Sequence, residues 1–142
     1  MPRIELEMPD TFLFTTEIPI RISDINYGNH LGNDAVLSLM HEARLRFLVQ
    51  YGFSEANVGG PGIIMVDSAI IYLSQAFYGD ILTIDITITD LHKYGFDLLY
   101  RLTNTHTAKE IARGKTGMLC FDYEKKRIAS VPQVVKDVFM KV

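Results

Sequence analysis

The sequence predicts an α+β fold, in which a five-stranded antiparallel sheet wraps around one long central helix. Three observations carry that prediction. Residues 14–22 and 81–89 alternate apolar and polar side chains with the period of a half-buried strand. Val36, Leu37, Met40, Ala43, Phe47, Leu48 and Tyr51 recur at helical spacing and form a wide apolar stripe. Beyond that helix, the chain is β-prone until Pro132 opens a last short helix.

The first strand, residues 14–22, puts Phe14, Thr16, Ile18, Ile20 and Ile22 on one side. Pro19 has no N–H to give a ladder and so assigns this strand to a sheet edge. The helix takes Asn33 or Asp34 as its N-cap and ends just before Gly52. Glu42 stands four residues before Arg46, the spacing of an ion pair on an outward face. After the Gly59-Gly60-Pro61-Gly62 turn, residues 63–74 read as a nearly continuous strand, and Tyr78-Gly79-Asp80 turns the chain into residues 81–89. Residues 96–102 and 111–121 complete the set, separated by the polar turn Asn104-Thr105-His106-Thr107. Strands joined as sequential hairpins, with the helix inserted after the first, give an antiparallel sheet on a buried helix. No repeat or linker divides residues 1–142, which are expected to form a single domain.

Composition narrows the function classes. The chain has 142 residues, 48% of them hydrophobic, enough for a real core and incompatible with disorder. A net charge of -3 argues against a general nucleic-acid binder, and Lys125-Lys126-Arg127 reads as a solvated turn. No apolar run approaches the roughly 18 residues of a membrane helix. The single cysteine, Cys120, has no intramolecular partner, and the first residues lack the basic start and apolar run of a secretory signal. The expectation is a soluble cytoplasmic protein. His41, His92 and His106 show no metal-ligand spacing, so no metal is expected.

Most of the unusual polar chemistry lies in one loop, Asp24-Ile25-Asn26-Tyr27-Gly28-Asn29-His30-Leu31-Gly32-Asn33-Asp34, at the start of the long helix. A helix N-terminus leaves backbone N–H groups without intrahelical partners, with the positive end of the helix dipole behind them. Such a place suits a developing negative charge.

The chain resembles the hotdog-fold acyl-CoA thioesterases of the 4-hydroxybenzoyl-CoA thioesterase type. That family's loop runs Asp-x-Asp-x-x-x-His-x-Asn-Asn into a helix carrying Glu-Ala-Arg. Here Asp24, Asn26, His30, Gly32 and Asn33 are followed by Glu42-Ala43-Arg44. A second segment, aromatic-Leu-x-x-Ala-x-x-Gly-Asp, is met by residues 72–80, with Gln75 in place of a frequent proline. The resemblance implies a hotdog fold, hydrolysis of a thioester to free acid and coenzyme A, and no cofactor beyond the coenzyme A of the substrate. It also implies sheets paired edge to edge in a homodimer or homotetramer, with sites at the interface.

Two departures bear on mechanism. The family's second aspartate acts as general base or nucleophile, and here Asn26 can neither take a proton nor attack. Gly32 replaces the first asparagine of the pair, while the resemblance assigns the thioester oxygen to the backbone N–H of Asn33. Gly32, Asn33 and Asp34 are accordingly the expected substrate-binding residues. For activating water, Asp24 and Asp67 are the candidate acids. Asp24 is expected either as base or as a brace of the loop. Asp67 interrupts the apolar run Ile63-Ile64-Met65-Val66, a cost unless it faces a cavity, a partner or a wet edge. His30 is expected to assist or to serve as a structural hydrogen-bonder. Glu42 is read either as the family's helix glutamate or as a surface partner of Arg46. Lys93, Arg101, Arg113 and Lys115 are candidate cations for the coenzyme A phosphates. Cys120 reads as a small buried hydrophobe. The ligand is an acyl-CoA or acyl-carrier thioester. The competing readings are a pocket that binds a thioester without cleaving it and a hotdog dehydratase or hydratase, whose strand-borne Asp/His motif is absent.

Overall fold

The computed structural model describes residues 3–140. β1 (Phe14–Pro19) leads through a single 3-10 turn at Ile22–Asp24 into α1 (Asn33–Gln50). Then follow β2 (Gly62–Tyr72), β3 (Ile81–Thr89), β4 (Gly95–Asn104), β5 (Glu110–Asp122), the two-residue β6 (Arg127–Ile128) and α2 (Gln133–Phe139). The sheet is antiparallel in the order β1-β3-β4-β5-β2, with β6 paired to β5. Five full strands on one long helix agree with the sequence prediction.

Two expectations are corrected. The first strand ends at Pro19, opposite Ile81, rather than at residue 22. Ile20 is still buried, but Ile22 is 71% exposed, because the chain turns where the Asp24 carboxylate accepts the Arg21 N–H. The strands are also not all sequential hairpins, since β2 pairs with β5 and not with β3. The connection over residues 73–80 explains the crossing. Its start bonds to β5, through Leu73 N–H and Ser74 N–H on the Ile111 carbonyl, and its end bonds to the Ile20 carbonyl through Gly79 N–H. It therefore spans the end of the sheet beneath the start of α1.

One face of the sheet buries Leu82, Ile84, Ile86, Leu98, Tyr100 and Leu102 against Val36, Leu39, Met40, Ala43, Phe47 and Leu48 of α1. A Cβ on Gly114 of β5 would meet the end of the Met40 side chain, so this glycine leaves the room that the Met40 thioether fills. At the other end, Phe139 of α2 stacks on Phe47 with centroids 5.4 Å apart and closes the core. β1 and β2 are the two edges, as Pro19 requires of β1. No described helix is long and apolar enough to cross a membrane.

Candidate functional site

The loop between β1 and α1 is closed by its own backbone. Gly32 N–H donates to the Asp24 carbonyl (3.0 Å), Asn26 N–H to the His30 carbonyl (3.0 Å) and Asn29 N–H to the Asn26 carbonyl (3.1 Å). Asn29 takes a left-handed conformation, φ 67°, which asparagine tolerates. Leu31 N–H reaches the Ala76 carbonyl at 2.8 Å, fastening the loop to the residue 73–80 crossing.

Each predicted loop residue then has a definite place. Asp24 is buried, 6% exposed, and its Oδ2 accepts the Arg21 N–H at 2.8 Å with the Arg21 guanidinium 3.7 Å away. That is the geometry of a brace. Asn26 Oδ1 accepts Gly28 N–H (2.9 Å) and His30 N–H (3.4 Å), which shapes the turn and leaves the amide nitrogen of the side chain free to donate. Asn26 Oδ1 and His30 Nε2 both lie 3.2 Å from where a Cβ on Gly28 would stand, so they share one side of the loop.

The N-cap is Gly32, one residue earlier than the sequence suggested, because no side-chain oxygen caps this helix. Asn33 and Asp34 thus occupy the first turn. Among the described residues neither of their backbone N–H groups has an acceptor. Beside them opens a cleft of about 290 Å³ lined by His30, Leu31, Asn33, Val36, Tyr72 to Gln75 and Ile111. Tyr72 ties its two walls together by donating its hydroxyl to the Asn33 carbonyl at 3.3 Å. The structure therefore gathers Asn26, His30, Gly32, Asn33 and Asp34 at one corner. Residues 72–75, quoted above only as a motif, are a wall of it.

Asp67 is elsewhere. It sits at a bulge on the edge strand β2, five residues before Tyr72 and so roughly 16 Å along the strand. Its side chain is 61% exposed and accepts from Lys115 Nζ at 2.7 Å. That hydrogen bond holds the Asp67 carboxyl below its ordinary range and the Lys115 ammonium above its own. The acid in an apolar run thus forms an exposed ion pair on the edge strand.

The candidate phosphate cations are largely spent. Arg101 pairs with Asp85 (3.2 Å), Arg113 with Glu110 (2.6 Å) and Lys115 with Asp67 and Asp97, while Lys93 lies over the Tyr94 ring. Glu42 pairs with Arg46 at 2.9 Å, the surface reading. Gly59 to Gly62 form the expected turn, and Gly60, Pro61 and Gly62 line a separate groove with Tyr123. Burial pushes the Cys120 thiol up to about 11, as befits an inert core residue. Among the described residues no three His, Cys, Asp or Glu side chains converge as metal ligands.

Sequence reading missed one polar cluster. Arg44 is 5% exposed and donates through Nη1 to the Tyr100 hydroxyl (3.1 Å), which meets Thr116 Oγ1 at 2.8 Å, while Nε lies 3.5 Å from Glu55 Oε2. The signal was present, since Arg44 lies four residues from both Met40 and Leu48 on the apolar stripe.

Comparison with known proteins gives the family. Residues 20–139 match the family model described as the thioesterase-like superfamily. A 1,4-dihydroxy-2-naphthoyl-CoA hydrolase from Synechocystis is 26% identical over 123 residues, 84% of this chain and 89% of that protein. The crystal structure of a Synechocystis 1,4-dihydroxy-2-naphthoyl-CoA thioesterase superposes with a TM-score of 0.82 at 24% identity, covering 91% of this chain and 96% of the other. A thioesterase-superfamily structure from Jannaschia gives 0.83 at 15% identity, over 93% and 84%. The chain belongs to the thioesterase-like superfamily.

Proposed function

We propose that this thioesterase hydrolyses an acyl-CoA to the free acid and coenzyme A, with the thioester oxygen held by the backbone N–H groups of Asn33 and Asp34. The observation that carries the proposal is the pair of open amides at the start of α1, beside a cleft of mixed apolar and polar lining. Fixed donors aimed at a forming oxyanion lower the barrier by a few kcal/mol, roughly 3 for one donor, because they need no reorganisation as charge develops. Asn26, with its side-chain N–H groups free, orients the carbonyl or the attacking water, and His30 on the same side of the loop assists. Asp24 acts by bracing the loop.

The acyl-CoA assignment draws support from the Synechocystis relative, whose name specifies a CoA thioester. The working form on this reading is a dimer. β2 is an eleven-residue edge strand whose middle, Met65 to Ser68, is exposed, and an edge of that length invites antiparallel pairing with a second copy. A cytoplasmic setting agrees with the single unpaired, buried thiol. Thiol release from a panel of acyl-CoAs differing in length and aromaticity tests the function. Saturable turnover of at least one member is expected, and none with any member would contradict it. A second reading has one observation in its favour: no carboxylate lines the cleft. Saturable acyl-CoA binding with no thiol release would select that binding-protein reading.

A further inference from the structure

We infer that Asp34 is the general base, and that Gly32 is the residue that admits it to the site. The inference rests on the hydrolase reading above, which leaves open what activates water now that position 26 is an asparagine. Three carboxylates come into question, and two are committed. Asp24 is buried on the Arg21 N–H and Asp67 is bound to Lys115. Asp34 has no hydrogen-bond or ion-pair partner among the described residues, so its lone pairs are free for a water proton.

Its position fits the task. A Cβ built on Gly32 would lie 2.6 Å from Asp34 Oδ1 and 3.6 Å from Asn26 Cβ. The Asp34 carboxylate therefore folds back over Gly32, and it and Asn26 both border the space that the glycine leaves open, one residue before Asn33. The two departures from the thioesterase loop pattern become one change. The acid absent at position 26 is supplied from position 34, and the side chain absent at position 32 is the space it crosses. Gly32 has φ -73°, an ordinary value, so its lack of a side chain answers to space and not to backbone strain.

The step balances without a further reactant. Asp34 takes a proton from water as the water oxygen bonds to the thioester carbon, and the negative charge passes to the carbonyl oxygen on the Asn33 N–H. The intermediate collapses by breaking the C–S bond, and the proton held on Asp34 goes to the departing coenzyme A sulfur. The products are the carboxylic acid and the free thiol.

Kinetics of three variants test this on the best substrate of the panel. Asp34→Asn is expected to lower kcat about 100-fold or more with KM little changed, and to remove the acid limb of the pH–rate profile. Gly32→Ala keeps its backbone but pushes the exposed Asp34 carboxylate aside, and kcat falls in the same direction. The decisive variant is the double exchange Asn26→Asp with Asp34→Asn, which returns the acid to the family's position. Recovery of turnover and of the acid limb is expected, a rescue that a merely structural role for Asp34 would not produce. Asp34→Asn turning over within about threefold of the parent enzyme would overturn the inference. A parent enzyme silent on every acyl-CoA would instead overturn the hydrolase reading itself.

Discussion

The start of α1 and its middle treat polar groups in opposite ways. At the start, the Asn33 and Asp34 amides and the exposed Asp34 carboxylate have no partners among the described residues, and Asn33 lines a cleft. In the middle, buried Arg44, Tyr100 and Thr116 bond to one another and Arg44 Nε stands at ion-pair distance, without a hydrogen bond, from half-buried Glu55, which also pairs with His41. Both regions are polar, and only one is chemically available. Burial with satisfied partners marks architecture, whereas polar groups left open beside a cavity mark a place where a ligand completes the bonding. The Asp67–Lys115 pair belongs with the first kind despite its exposure, because its charge is already answered.

This contrast can be broken at several points. The largest effect is expected from Arg44→Ala, which leaves a cavity and removes one partner each from Tyr100 and Glu55, leaving them Thr116 and His41. A loss of about 2–5 kcal/mol, from the cavity, should appear as a lower urea midpoint at unchanged slope. Gly114→Ala drives a methyl against the end of the fully buried Met40 side chain and should cost about 1–3 kcal/mol by the same measurement, since the packed core leaves that side chain little room to shift. Tyr100→Phe removes a hydroxyl shared by Arg44 and Thr116 and should cost about 1–3 kcal/mol, with kcat retained because the site is distant along α1.

Smaller still is Asp67→Asn, where turnover should match the parent enzyme. The folded Asp67 pKa is lowered, so the little stability its pair provides is present above the unfolded value of 3.8 and fades as pH falls through the folded one. The variant and its parent should therefore differ slightly in melting temperature at neutral pH and converge in acid. Loss of catalysis in this variant would return Asp67 to the site. Finally, Cys120, its thiol raised to about 11 by burial, should resist a thiol reagent in mildly alkaline buffer until urea exposes it.

Much of this was legible in the residues. The alternation in 81–89 matches β3, and the apolar spacing from Val36 to Tyr51 marks α1, because both periods are set by backbone geometry. The loop stood out because glycine, asparagine, histidine and aspartate crowded into residues 24–34. The pairing of β2 was not legible, since its partner is decided by how the residue 73–80 crossing bonds at each end. Asp67 misled because composition alone cannot show that Lys115 stands beside it on the neighbouring strand. The value of Gly32 was equally hidden, as the space it leaves is defined by the rotamer of Asp34 two residues on.

The most direct test concerns the open amides. Backbone NMR of nitrogen-labelled protein, titrated with an unreactive acyl-CoA analogue in which methylene replaces the thioester sulfur, reports on the Asn33 N–H itself. A downfield shift of the Asn33 amide proton and slowed exchange at saturation are predicted, because the analogue's carbonyl oxygen becomes its acceptor. An Asn33 amide that stays unmoved while other residues report full occupancy would contradict the account.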